Sequence, residues 1–299
     1  MFYLIFQAKS SNLEQYLRFK ILLTSTKLFE LMYKTLQWLP LTIIIFFIII
    51  SAILSGAVKS MSEQFKEWSK GSSGCDGVDL GGIRNRAVWV CGIEWGGENS
   101  AEVLSSRITE DVSSPPQGYP DWEENVAYIF NWQLMKLFAA MKGDNVLSYK
   151  SFAEKTQPFV HGGEGFFKMN LYPVAFKDTG HDRWQDDFSA ITGFNSKADY
   201  IEWCQQNRFP QIRQWASTYK PKLVLCLGKS YLTDFIAAFS DHRDRINHEI
   251  IDDRDLYWQK NKDDTFIVVV PFMVNRYGLT KNTSIQKFGE RISQITSAL

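Results

Sequence analysis

The sequence has little cysteine and little histidine, four of each in 299 residues. Cys75, Cys91, Cys204 and Cys226 are far apart and form no C-x-x-C pair, which argues against a disulfide framework or a zinc ribbon. Cys91 and Cys226 lie inside apolar runs, where buried free thiols are the default, and that points to a reducing compartment. His161, His181, His242 and His248 stand in polar segments without metal-ligand spacing, so no metal is expected. There is neither a P-loop nor a full G-x-G-x-x-G, and no cofactor is expected. Net charge is also absent, with 33 basic and 33 acidic residues. Residues 1–60 carry six Lys/Arg and two acids, leaving 27 basic and 31 acidic residues beyond them. Such a mildly acidic domain has no global pull on nucleic acid, and any such contact must be local.

What is abundant is apolar and aromatic surface. Hydrophobic residues make up 45% of the chain and aromatics 15%, enough for one large or two small globular domains. Leu39 to Val58 is a run of twenty residues without a charge, long enough as a helix to span a hydrocarbon core of about 30 Å. Upstream, Leu17, Phe19, Leu22, Leu23, Leu28, Leu31 and Met32 alternate with Lys and Arg, as in an amphipathic surface helix. Two readings of residues 1–60 follow: a true single-pass anchor, or an upstream extension of a domain that begins at Met61. In the second reading the domain is cytoplasmic, and a membrane is a partner only if residues 39–58 belong to the native protein. Residues 61–86, rich in Gly and Ser from Lys70 to Gly82, read as a flexible lead-in.

From residue 87 to 299 apolar runs alternate with helical patterns. Strands are expected at Ala87–Ile93, Phe166–Pro173, Leu223–Gly228 and Thr265–Phe272, the last buried on both faces. Helices are expected at Trp122–Met141, from about Asn195 to Thr218 with a break at Pro210, after Gly228, and from about Thr283 to Ser297. Ser100–Pro120 and Ser148–Gly165 read as irregular, and His242–Lys262 as a charged segment with an edge hairpin. The alternation predicts a three-layer α/β/α sandwich with a central four-stranded, mainly parallel sheet. Strand carboxyl ends then gather on one edge, where ligands bind in such sheets.

Those ends carry the candidate site. Gly92-Ile93-Glu94-Trp95-Gly96 follows the first strand, Met169-Asn170-Leu171 ends the second, Lys220-Pro221-Lys222-Leu223-Val224-Leu225-Cys226-Leu227-Gly228 forms the third, and Pro271-Phe272 closes the last. Ser114-Pro115-Pro116 lies ahead of a helix. Together these segments resemble the uracil-DNA glycosylase superfamily over roughly Ala87 to Ile295. In that family the first motif, such as Gly-x-Asn-Pro-Gly or Gly-Gln-Asp-Pro-Tyr, supplies the residue that holds the attacking water. The resemblance implies that Glu94 takes this role, that Asn170 reads the base, and that Ser114, Pro115 and Pro116 contact the DNA backbone. Trp95 stands where the family has proline. The family's final His-Pro-Ser has no counterpart, and Asn275 or Arg276 would face the departing base anion instead.

Base excision requires a flipped nucleotide, a base edge read by hydrogen bonds and an aromatic clamp. Glu94 and Asn275 are therefore the candidate catalytic residues, and Trp95, Gly96, Asn170, Tyr172, Phe272 and Arg276 the candidate substrate contacts. Glu94 capping a helix, Asn170 satisfying strand-end backbone and Trp95 serving as core are the structural alternatives. The function expected is hydrolysis of the N-glycosidic bond of a damaged base. The alternative is a non-catalytic member that binds a base, nucleotide, DNA or protein partner, and a membrane-tethered α/β hydrolase is a third class. The partner expected is nucleic acid or a free base or nucleotide.

Overall fold

In a computed structural model the protein is described over residues 60–72, 86–97, 100–113, 118–180, 184–242 and 246–296. The expected apolar span at 39–58, the Ser114-Pro115-Pro116 loop, Cys75 and His181 lie outside the described residues. Among the described residues, no helix is long and apolar enough to cross a membrane.

The fold is mixed α/β, built on a six-stranded, mostly parallel sheet in the order β2-β1-β3-β6-β5-β4. The strands are β1 (Val88–Gly96), β2 (Phe166–Phe176), β3 (Leu223–Leu227), β4 (Asn247–Ile251), β5 (Arg254–Lys260) and β6 (Phe266–Val270). The four strands expected from the sequence are present and parallel: β1 pairs with β2 and β3, and β3 pairs with β6. The expectation of a four-stranded sheet needs correction, because the hairpin of β4 and β5 joins antiparallel on the β6 side. Its turn uses Asp252 and Asp253 at φ 47° and 59°, the positive values that suit a tight hairpin.

Apolar residues on both faces of β1 explain its central position. Trp89 and Cys91 join one core with Phe65, Tyr200, Phe209 and Phe235. Val88 and Val90 join the other with Leu134, Phe138, Phe152 and Phe288. Helices α1 (Met61–Gly71), α2 (Ala101–Ser113), α6 (Phe188–Thr192), α7 (Lys197–Trp203), α8 (Phe209–Tyr219) and α9 (Leu232–Phe239) contribute to the first core. Helices α4 (Ile129–Met141), α5 (Tyr149–Thr156) and α10 (Asn282–Thr296) contribute to the second, with α3 (Trp122–Ala127) packed alongside. Where α4 crosses α10, a Cβ on Gly289 would lie 2.4 Å from that of Ala140, so this approach requires glycine.

Several boundaries differ from the sequence reading, each for a local reason. The lead-in begins with an ordered helix: Ser60 and Glu63 form a reciprocal capping box on α1, and Phe65 and Trp68 are buried. Ser100–Pro120 holds α2, anchored to α1 by Trp68 Nε1 donating to Asp111 Oδ2 at 2.7 Å. The helix expected over Trp122–Met141 breaks at Tyr128, which is extended. Beside this break, Asn125 Nδ2 donates to the Pro158 carbonyl and Asn131 Nδ2 to the Asn125 carbonyl. Strand β2 runs through Pro173 to Phe176, which a proline permits on an edge strand. The expected break near Pro210 is present: a π turn, Cys204–Arg208, separates α7 from α8.

That π turn ends on Arg208, which is fully buried. Its Nε donates to the Leu171 carbonyl at 2.8 Å, Nη2 to Asn170 at 2.9 Å and Nη1 to Ser69 at 2.6 Å. One guanidinium thus ties edge strand β2 to α1. Arg208→Leu should lower stability by about 3 kcal/mol or more, because it strands buried carbonyls. Urea unfolding of the full chain checks this, and an unchanged midpoint would contradict it.

Candidate functional site

The site is built where β1 and β3 end. Strand order reverses there, since β2 lies on one side of β1 while β3 and β6 lie on the other. Such a switch point opens a crevice outside the strand ends. Two glycines let the chains approach. A Cβ on Gly92 would stand 2.1 Å from Asn170 Oδ1. Gly228 has φ +130°, and a Cβ there would lie 2.6 Å from Ile93 Cδ1. Only glycine combines that backbone with that proximity.

Glu94 emerges at this point and meets Lys197, the first residue of α7. Ser196 caps the helix by accepting from the Asp199 amide, which fixes where Lys197 starts. Lys197 Nζ donates to Glu94 Oε1 at 3.1 Å and lies 3.0 Å from Oε2, which has no aligned hydrogen bond. The two side chains are 1% and 5% exposed. The ammonium also sits 3.9 Å from the centroid of the Phe176 ring and 3.5 Å from the Asp178 carbonyl oxygen. Burial pushes the Glu94 carboxyl from 4.5 up to about 7; Lys197 opposes the shift and the Asp178 carboxylate adds to it. A group at that value is suited to take or give a proton near neutrality.

Tyr231, in the 3-10 turn Lys229–Tyr231 after β3, feels the charge of Glu94. Burial raises its phenol, as do the negative charges of Glu94 and Asp234, against a hydrogen bond with Thr179. Tyr172, expected to stack on a ligand, is 1% exposed. Its hydroxyl donates to Asp234 Oδ2 at 2.9 Å, and its ring packs on Tyr200, Phe209 and Tyr231.

A second group of candidates lies toward α4. Lys168, two residues before Asn170, is buried and donates to Asn131 Oδ1 of α4 at 3.0 Å. Its Nζ lies 5.0 Å from the Trp95 ring centroid and 4.8 Å from that of Phe130. Trp95 is 7% exposed, and its Nε1 has no acceptor. Phe272 is half-buried and packs on Phe130 at 5.8 Å. Asn170 is 3% exposed, with its side chain against Gly92.

The expected residues thus divide. Trp95 and Phe272 flank one buried cation through Lys168 and Phe130, and Glu94 goes to Lys197. Gly96 is exposed with open space around it. Asn275 and Arg276 are exposed on the loop after β6, closed by Gly278 N donating to the Asn275 carbonyl at 3.0 Å. Glu94, Asn170 and Asn275 share no hydrogen bond or ion pair. Sequence reasoning missed Lys197, Lys168 and Tyr231. Only Lys168 left a signal, as a lone cation within the apolar run Phe166–Tyr172. No family model matches this chain, and no curated protein matches it.

The pH dependence of stability follows from Glu94. Because folding raises its pKa, the protonated carboxyl contributes stability that is fully present below about 4.5 and is lost as pH rises through about 7. Glu94→Gln, neutral at every pH, should flatten that decline. Urea midpoints of wild type and variant between pH 5 and 8 check it, and parallel curves would contradict the assignment.

Proposed function

We propose that the domain is a divergent uracil-DNA glycosylase-like protein, an α/β/α sandwich whose sheet edge receives a flipped base for hydrolysis of its N-glycosidic bond. The observation that carries the reading is Glu94: a carboxyl raised to about 7, at the carboxyl end of β1 where strand order reverses. In ionised form it would orient water toward the sugar C1′. The Asn170 amide offers both donor and acceptor to a base edge. Trp95 and Phe272 supply flat apolar surface, and Asn275 or Arg276 supplies a donor to the departing base anion.

A second reading, a non-catalytic binder of a base, nucleotide or DNA, is favoured by the Glu94–Lys197 contact. There the carboxylate is already paired and 5% exposed. In the catalytic reading Lys197 must yield part of its grip when the ligand arrives.

Uracil release from single- and double-stranded DNA by the full chain separates the two. Catalysis predicts measurable release, reduced by about 100-fold or more in Glu94→Gln, the range for a lost general base. Absence of release from uracil, hypoxanthine and other deaminated bases would reject the enzyme reading and leave the binding one. Gly92→Ala should impair either function, because its Cβ would displace the Asn170 amide. Base affinity measured by calorimetry checks that effect, and an unaltered affinity would remove Asn170 from the site.

A further inference from the structure

The same sheet edge carries a charged group that neither reading uses. His248 of β4 has Nε2 2.8 Å from Asp255 Oδ1 of β5, and its ring stacks on Tyr257 at 4.5 Å with 13° between planes. The other Asp255 oxygen accepts from Lys229 Nζ. Lys229 and His248 hold the Asp255 carboxyl below the usual carboxylate range, so Asp255 stays ionised between two donors. Pairing of Nε2 with the carboxylate leaves Nδ1 as the outward ring nitrogen. His248 is 43% exposed, Lys229 51% and Asp255 21%, so the carboxylate lies beneath the two donors.

Topology places this group at the carboxyl edge. β5 is antiparallel to β6 with Tyr257 opposite Val269, so Asp255 lies beyond the end of β6. Gly228 N donates to the Val270 carbonyl at 2.9 Å, which sets Lys229 beside that end. Lys229 and Tyr231 are the two ends of one 3-10 turn; the first contacts Asp255 and the second feels the charge of Glu94. In the nearby hairpin turn Asp252 is paired with Lys287 at 2.6 Å and Asp253 is exposed.

We propose that Lys229 and His248, both oriented by Asp255, form a phosphate-binding site at the carboxyl edge of the sheet. The ammonium has N–H groups beyond the one given to Asp255, and the imidazole has a second ring nitrogen beyond the one facing Asp255, so both can turn to phosphate oxygens. The phosphate source favoured here is the backbone of a single nucleic-acid strand whose base enters beside Glu94. That choice of source rests on the reading proposed above, whereas the phosphate site does not. It also resolves how a domain without net positive charge meets nucleic acid: the attraction is confined to one edge.

The test uses the full chain, inorganic phosphate and a short labelled oligothymidylate. Phosphate should shift the His248 imidazole resonances in NMR spectra. The oligonucleotide should bind with an affinity that falls with salt, and His248→Gln combined with Lys229→Gln should weaken it by about ten-fold or more and flatten the salt slope by about one. Binding of phosphate but not of oligonucleotide would keep the site and overturn the strand as its source. No phosphate-induced shift at His248, or a folded double variant that binds like wild type, would overturn the site. Should the double variant fail to fold, the wild-type NMR titration still decides. Failure of uracil release alone bears on Glu94 and leaves this outcome unchanged.

Discussion

A buried guanidinium holds together the half of the molecule that presents Glu94. Arg208 has no carboxylate partner in its hydrogen bonds; it donates to the carbonyls of Asn170, Leu171 and Ser69. Burial lowers its pKa, and carbonyls aligned on three sides replace the water it loses. The π turn that ends on Arg208 is where the chain passes from α7, which begins with Lys197, to α8. That anchor adds to the pairing of the edge strand with β1 and to the packing of Tyr200 that holds the helix carrying Lys197. The same burial raises the thiols of Cys91 and Cys204, the latter to about 12, so these free cysteines are inert packing groups.

Two buried lysines then divide the strand ends into two environments. Lys197 pairs with a carboxylate and a ring, and burial raises that carboxyl, Glu94, to about 7. Lys168 is held by an amide oxygen and by aromatic faces, Trp95 among them. The Trp95 Nε1 donor, buried without an acceptor, is a standing cost that a ligand carbonyl could relieve.

Much of the sheet was legible because continuous apolar runs leave few options. Val88–Cys91, Leu223–Leu227 and Phe266–Val270 could only be buried strands, and alternation with helices dictated parallel pairing. Helix starts near Trp122 and Asn195 were legible, and in the structure the side chains of Asp121 and Ser196 cap them. The capping box at Ser60 and Glu63 was not, because glycine- and serine-rich sequence after it drew the whole stretch toward a loop. The break at Tyr128 was also hidden, since helical periodicity continues across it. What interrupts the helix there is a hydrogen-bond set from Asn125 and Asn131 to distant backbone and to Tyr119.

Site residues were legible in type but not in partnership. The sequence alone determined that Gly228 and Phe272 follow buried strands, whereas Glu94 and Asn170 lie inside strands that run on through Gly92 to Gly96 and through Pro173 to Phe176. Only the tertiary structure decided which way each side chain turns. Glu94 was assigned to a water, and packing gives it to Lys197, 103 residues away in the chain. Tyr172 was assigned to a ligand, and packing gives it to Asp234. His248 read only as a histidine in a polar segment without metal-ligand spacing, and the hairpin sets it on Asp255. The physical reason is common to all three. A local pattern specifies burial and backbone geometry, whereas the partner of a charge is chosen by long-range closure of the chain, which no spacing records.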